Sequence, residues 1–201
     1  MANVSKIAGL SPVKHLLGLN WDSRGTPYSV ATTEGNILSI GDPVKLSGSA
    51  DTNGIAGVVQ ATAGATCVGV IMGIGLNPSG PYIDPNDLTR IQAPATKTSV
   101  YYAFVCDDPF VIFEVQEGGE GTLLAATDVG QNIDFLAAAP GTGVRISQFT
   151  IDNNAHDTTS TRNCKLLGLA QYPRGFNAYG AAAKWWVLIN NHSYKVGVTG
   201  I

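Results

Sequence analysis

A chain of 201 residues with 44% hydrophobic side chains is long enough to bury a core without metal or disulfide staples. Charged residues make up only 13%, about half the roughly 25% usual for a soluble domain, and the net charge is -3. The 12 Lys and Arg residues are scattered singly, which excludes the basic stripe that a nucleic-acid reader needs to displace counterions from phosphate.

The chain opens with a leader, residues 1–25, that differs in kind from the rest. Ile7, Leu10, Val13, Leu16, Leu17, Leu19 and Trp21 are apolar, but Gly9, Pro12, Gly18 and Gly25 interrupt them at a spacing that suits neither helix nor strand. An extended apolar arm is expected, docked either on its own domain or on a neighbour. Residues 1–10 lack a basic n-region and a long apolar h-region, so no signal peptide is expected. No apolar run approaches the ~20 residues of a membrane-spanning helix, so no membrane partner is expected.

From residue 26 to 201 the sequence reads as a β-rich body of short apolar or alternating runs punctuated by Gly, Pro, Asn and Asp. Strands are predicted at 27–33, 43–47, 55–61, 66–74, 88–93, 98–105, 110–116, 144–151, 165–172 and 184–190. Asn53-Gly54 lies between two of them and supplies the positive φ that a tight hairpin needs. In 110–116, Val111, Phe113 and Val115 share one face and Glu114 and Gln116 the other, so one face looks inward. In 98–105 and 184–190 both faces are apolar, as for strands covered on two sides. Loops are predicted at 75–86 and 152–163, and helix only as a turn or two at 123–127 and 181–184. The fold class is therefore all-β, a sandwich or barrel of jelly-roll-like kind with an extended N-terminal arm and little helix.

Chemistry-bearing residues do not assemble along the chain. Ser11 and Lys14 match S-x-x-K, but Pro12 prevents the helix on which they would face each other, and the partner motifs of that serine-enzyme class are absent. His15, His156 and His192 are never at metal-ligand spacing, and Cys67, Cys106 and Cys164 never form C-x-x-C. The cysteines are expected to be buried free thiols, and His192 to hydrogen-bond at a strand end. Asp107 and Asp108 would diverge in an extended chain, with Asp108-Pro109 opening a turn, while Asp84 and Asp87 lack the calcium-loop pattern. Gly69, Gly73 and Gly75 match no phosphate-loop spacing. No enzyme activity, cofactor or metal is expected.

Six stretches in order carry a resemblance: GLSPVKHL (9–16), IGDPV (40–44), VGVIMG (68–73), DDPFVIFEVQE (107–117), KLLGLAQYP (165–173) and AKWWVLINNH (183–192). Together they resemble the capsid decoration, or cement, proteins of tailed bacteriophages over nearly the whole chain. That resemblance implies a β-rich body and self-association, as homodimer or homotrimer. It also implies attachment to the major capsid protein on the outside of the virion, after synthesis in the host cytoplasm. Ile7, Leu10, Pro12, Val13, His15, Leu16, Leu17 and Trp21 are then the candidate capsid-interface residues of the arm. Deleting residues 1–25 is expected to abolish particle binding and leave a folded body. The alternatives are a tail, baseplate or head-fibre component, or a glycan-binding β module, with a carbohydrate hydrolase on a β scaffold as a third class.

Overall fold

The computed structural model describes residues 3–19, 25–75, 91–119, 121–172 and 176–195. The described chain is nearly all β, as its composition requires, and its strands form two large sheets. The first is a closed barrel of β2 (Thr26–Val30), β4 (Pro43–Ala50), β5 (Ala56–Gln60), β6 (Gly69–Gly75) and β8 (Tyr101–Cys106), in the order β2-β5-β4-β6-β8. A short ribbon of β3 (Leu38–Ser39) and β7 (Gln92–Ala93) accompanies it. Tyr28, Val30, Val44, Val58, Ile71, Ala103 and Val105 fill its interior.

The second sheet has six strands: β1 (Ser11–His15), β9 (Val111–Gln116), β10 (Asn132–Leu136), β11 (Thr150–Asp157), β12 (Cys164–Leu169) and β13 (Lys184–Ile189). Their order is β1-β9-β13-β12-β10-β11. The sheet curls until its far end meets its near one, because Glu117 and Ile151 form a parallel bridge and the Gly118 N–H donates to the Ile151 carbonyl at 2.8 Å. A Cβ on Gly118 would stand 3.1 Å from that carbonyl, so the seam closes where a side chain is missing. The free edge of β9 is thus shared, with β1 along Val111 to Glu114 and β11 just beyond. Phe113, Val115, Phe135, Phe149, Trp185 and Val187 pack inside this sheet as a second core.

The body is therefore built on two cores. Asn163 fastens them together: its amide accepts from the Gly64 N–H (3.1 Å) and the Phe135 N–H (3.1 Å) and donates to the carbonyls of Thr62 (3.2 Å) and Ala65 (2.8 Å). Arg162 beside it reaches Asp134 at 2.6 Å and Asp157 at 2.7 Å.

Several expectations need correction. The leader is not without regular structure, because 11–15 is an edge strand; Pro12 is tolerated there beside the register shift between Pro12 and Lys14. Of 144–151 only the last two residues are strand, and β11 continues to Asp157 through much of the expected loop at 152–163. Asn, Asp and His at the sheet edge lower its intrinsic β signal. Strands β3 and β10 were not anticipated. Among the described residues the one helical turn is a 3-10 turn at Ala126–Asp128, and of 181–184 the first two residues are a turn and Lys184 already begins β13. Of the Asn53-Gly54 pair only Gly54 has positive φ (80°), inside a loop that the Asp51 carboxylate braces by accepting from the N–H groups of Asn53 and Ile55. Most of 75–86 lies outside the described residues.

Candidate functional site

The leader folds back on its own chain before presenting a tip. Leu10 is 1% exposed, inside the second core, and its N–H donates to the Gly41 carbonyl at 2.9 Å. Gly9 turns the chain into this position at φ 69°, pressed so closely on Ser147 that a Cβ would lie 2.2 Å from its Oγ. Ile7 and Pro12 are half-buried. His15 is buried at the end of β1, where Nδ1 accepts from the Leu17 N–H (3.2 Å) and Nε2 lies 3.2 Å from Asp108 Oδ2. An acceptor Nδ1 places the ring proton on Nε2, so His15 donates to Asp108 and locks the turn. The Leu16 N–H bonds the Phe110 carbonyl at 2.8 Å and the Gly18 N–H the His15 carbonyl at 3.1 Å.

What this scaffold leaves outside is apolar. Val13, Leu16 and Phe110 are exposed, and Leu17 and Leu19 are 63% and 64% exposed. Of the arm residues anticipated as an interface, Val13, Leu16 and Leu17 reach this tip. Leu10 and His15 are taken up by the chain's own packing and cannot meet a partner while the fold holds, and Trp21 lies outside the described residues. Phe110 was not anticipated, because after Asp108-Pro109 it reads as the first residue of β9; the Asp108 carboxylate accepts its N–H at 2.8 Å and leaves its ring outside.

Asp84 and Asp87 lie outside the described residues, and the polar candidates within them have structural partners. Asp107 accepts from the hydroxyls of Thr26 (3.1 Å) and Tyr28 (2.8 Å), while Asp108 turns to His15, so the two carboxylates diverge as their spacing implied. The Lys14 ammonium lies 3.8 Å over the Trp186 ring rather than serving Ser11. His192 is fully buried, and its Nδ1 accepts from the Tyr194 N–H at 3.0 Å. Burial pushes its pKa down to about 4, so it is neutral at pH 7. Cys67, Cys106 and Cys164 are free and buried, and desolvation pushes the Cys67 thiol up to about 12, far from nucleophilic thiolate. Among the described residues no three His, Cys, Asp or Glu side chains come together as a metal site. No described helix is long and apolar enough to cross a membrane. No protein-family model, curated protein or solved structure matches this chain.

Proposed function

We propose that this chain is a structural virion component, a decoration protein that cements the outer surface of a tailed-phage capsid and catalyses nothing. The observation that carries the reading is the anchored apolar tip of Val13, Leu16, Leu17, Leu19 and Phe110. A tip held by backbone and imidazole hydrogen bonds loses little freedom on docking, which removes part of the roughly 4–15 kcal/mol that association costs. Burying such side chains returns up to about 1.5–3 kcal/mol each. Self-association, as dimer or trimer, would present several tips to adjacent copies of the major capsid protein and raise avidity by about 10²–10⁴.

The test is cosedimentation of the purified protein with undecorated heads. Replacing Leu16 and Leu17 together by Asp should lower occupancy more than tenfold. Both side chains are exposed, so unfolding free energy should change by no more than about 0.5 kcal/mol. Unchanged occupancy would reject the tip, and a wild-type protein that ignores heads altogether would reject the capsid.

A further inference from the structure

A second surface differs from the tip in its chemistry. On the outward face of the second sheet, strand pairing sets Lys14 beside Ile112, Ile112 beside Leu188, and Leu188 beside Lys165. The next rung runs Glu114, Trp186, Gly168, and the one after it joins Gln116 to Lys184. Trp185 and Val187, between these positions on β13, face the core, so this set faces away from it. Trp186 is half-buried, and on one side it has a neighbour with no side chain; a Cβ on Gly168 would meet nothing within 4 Å.

Beyond Lys184 the face opens into a cleft of about 350 Å³ between the leader, at Val4 and Lys6, and the segment after β12, at Tyr172 and Phe176. Two asparagines brace it. Asn3 bonds the backbone of Ala178 in both directions, at 2.7 and 3.0 Å, and Asn177 does the same for Lys184. Tyr172 and Phe176 are nevertheless 39% and 62% exposed. The Tyr172 hydroxyl donates to Glu114, whose other oxygen lies 3.2 Å from the Lys184 ammonium. Lys6 lines this cleft with Lys184, and Lys14 lies over the Trp186 ring, so three lysines stand along this face on a chain whose net charge is -3.

We propose that this cleft binds an acidic oligosaccharide. A pyranose ring has a face of C–H groups that lies flat on the electron-rich face of an aromatic ring, and its carboxylate or sulfate pairs with ammonium groups. Exposed aromatics framed by lysines supply both halves of that recognition. An acidic protein segment would use the lysines but need not offer a flat ring face to Tyr172 and Phe176, the two exposed aromatic rings of the cleft. The site does not depend on the capsid reading.

Isothermal titration of the whole protein with a uronate hexasaccharide, a sulfated hexasaccharide, a neutral maltohexaose and polyglutamate tests the proposal. One or both acidic saccharides should bind, and polyglutamate and maltohexaose should bind at least tenfold more weakly. Phe176→Ala and Tyr172→Ala should each weaken saccharide binding about tenfold, or ~1.4 kcal/mol. Tyr172→Phe keeps the ring and should lose less, and Lys6→Ala should reduce the dependence on salt. Phe176 is exposed enough that its removal leaves the fold intact. The proposal is overturned if neither acidic saccharide binds, or if polyglutamate binds equally well and Phe176→Ala has no effect, the signature of an acidic protein partner.

Discussion

Leu10 donates its backbone N–H to the Gly41 carbonyl while its side chain enters the core of the second sheet, so one leader residue touches both halves of the body. Leu10→Ala should therefore cost about 2–5 kcal/mol, as for other fully buried leucines. Urea unfolding would show this as a lowered midpoint. Deleting residues 1–15 should do more, since it also removes β1 and bares the β9 edge to strand pairing with other copies. The shortened chain is expected to aggregate, which is why the tip is better tested by substitution than by truncation.

Gly9→Ala and Gly54→Ala separate strain from collision. Both glycines have positive φ, 69° and 80°, and an alanine in either pays about 1–2 kcal/mol for that backbone. At Gly54 nothing lies within 4 Å of the added carbon, whereas at Gly9 it would meet Gly41 O at 2.4 Å and Ser147 Cβ at 2.4 Å. Gly9→Ala should thus lose a further 1–3 kcal/mol or so by displacing the leader. Equal melting temperatures for the two variants would count against the leader path described above.

The strand with a clean period of two was legible in the sequence, and Val111, Phe113 and Val115 are inward; 184–190 reads as covered on both faces, whereas Trp185, Val187 and Ile189 enter the core and Trp186 and Leu188 stay half-buried. Leader strand β1 was not, because Pro12 and the neighbouring glycines break every local pattern. Its strand exists only because β9 offers a free edge at a distance of about a hundred residues in sequence. Strand β10 alternates Ile133 and Phe135 with Asn132 and Asp134, but the polar pair is buried by contacts from 157–165 that no local window contains. For the same reason Leu16 and Leu17 were legible as an apolar site and Phe110 was not. Which apolar residues stay outside depends on the turn after β1, which bonds to the start of β9 through Leu16 and Phe110.

Asp42 gives the stability curve a slope of unusual sign. It is 2% exposed, its Oδ2 accepts from the Ser39 N–H at 2.8 Å, and burial pushes its pKa up from 3.8 to about 6. A folded-state pKa above the unfolded value means that its contribution is fully present below about pH 4 and is lost as pH rises through 6. Asp42→Asn keeps an acceptor for Ser39 and carries no charge, so it should stabilise the protein by about 1–3 kcal/mol at pH 7.5. At pH 3.5 the gain should vanish. Chemical denaturation of both proteins at the two pH values checks this, and a variant less stable than wild type at pH 7.5 would contradict it.

Asn163 is the residue on which the coupling of the two cores should depend most. It is fully buried, and its four amide bonds run to the backbone of Thr62, Gly64 and Ala65 below the first barrel and of Phe135 in the second sheet. Alanine here strands two N–H groups and two carbonyls in a place where water enters with difficulty, at roughly 1–3 kcal/mol for each group left unsatisfied. Some of that loss is recovered, because Asp134 Oδ1 already accepts from the Gly64 N–H at 3.0 Å. A net loss of about 2–4 kcal/mol is expected, and it falls on the junction rather than on either core. Calorimetry should therefore show one transition in the wild type and two in Asn163→Ala, with Asn163→Asp intermediate because it keeps the acceptor and loses both donors. A single, merely lower transition in Asn163→Ala would mean that the backbone bonds from Cys67 to Asn191 (2.8 Å) and from Ser193 to Cys67 (2.7 Å), with Val70 and Cys106 of the barrel packed in the second core, hold the halves together without it.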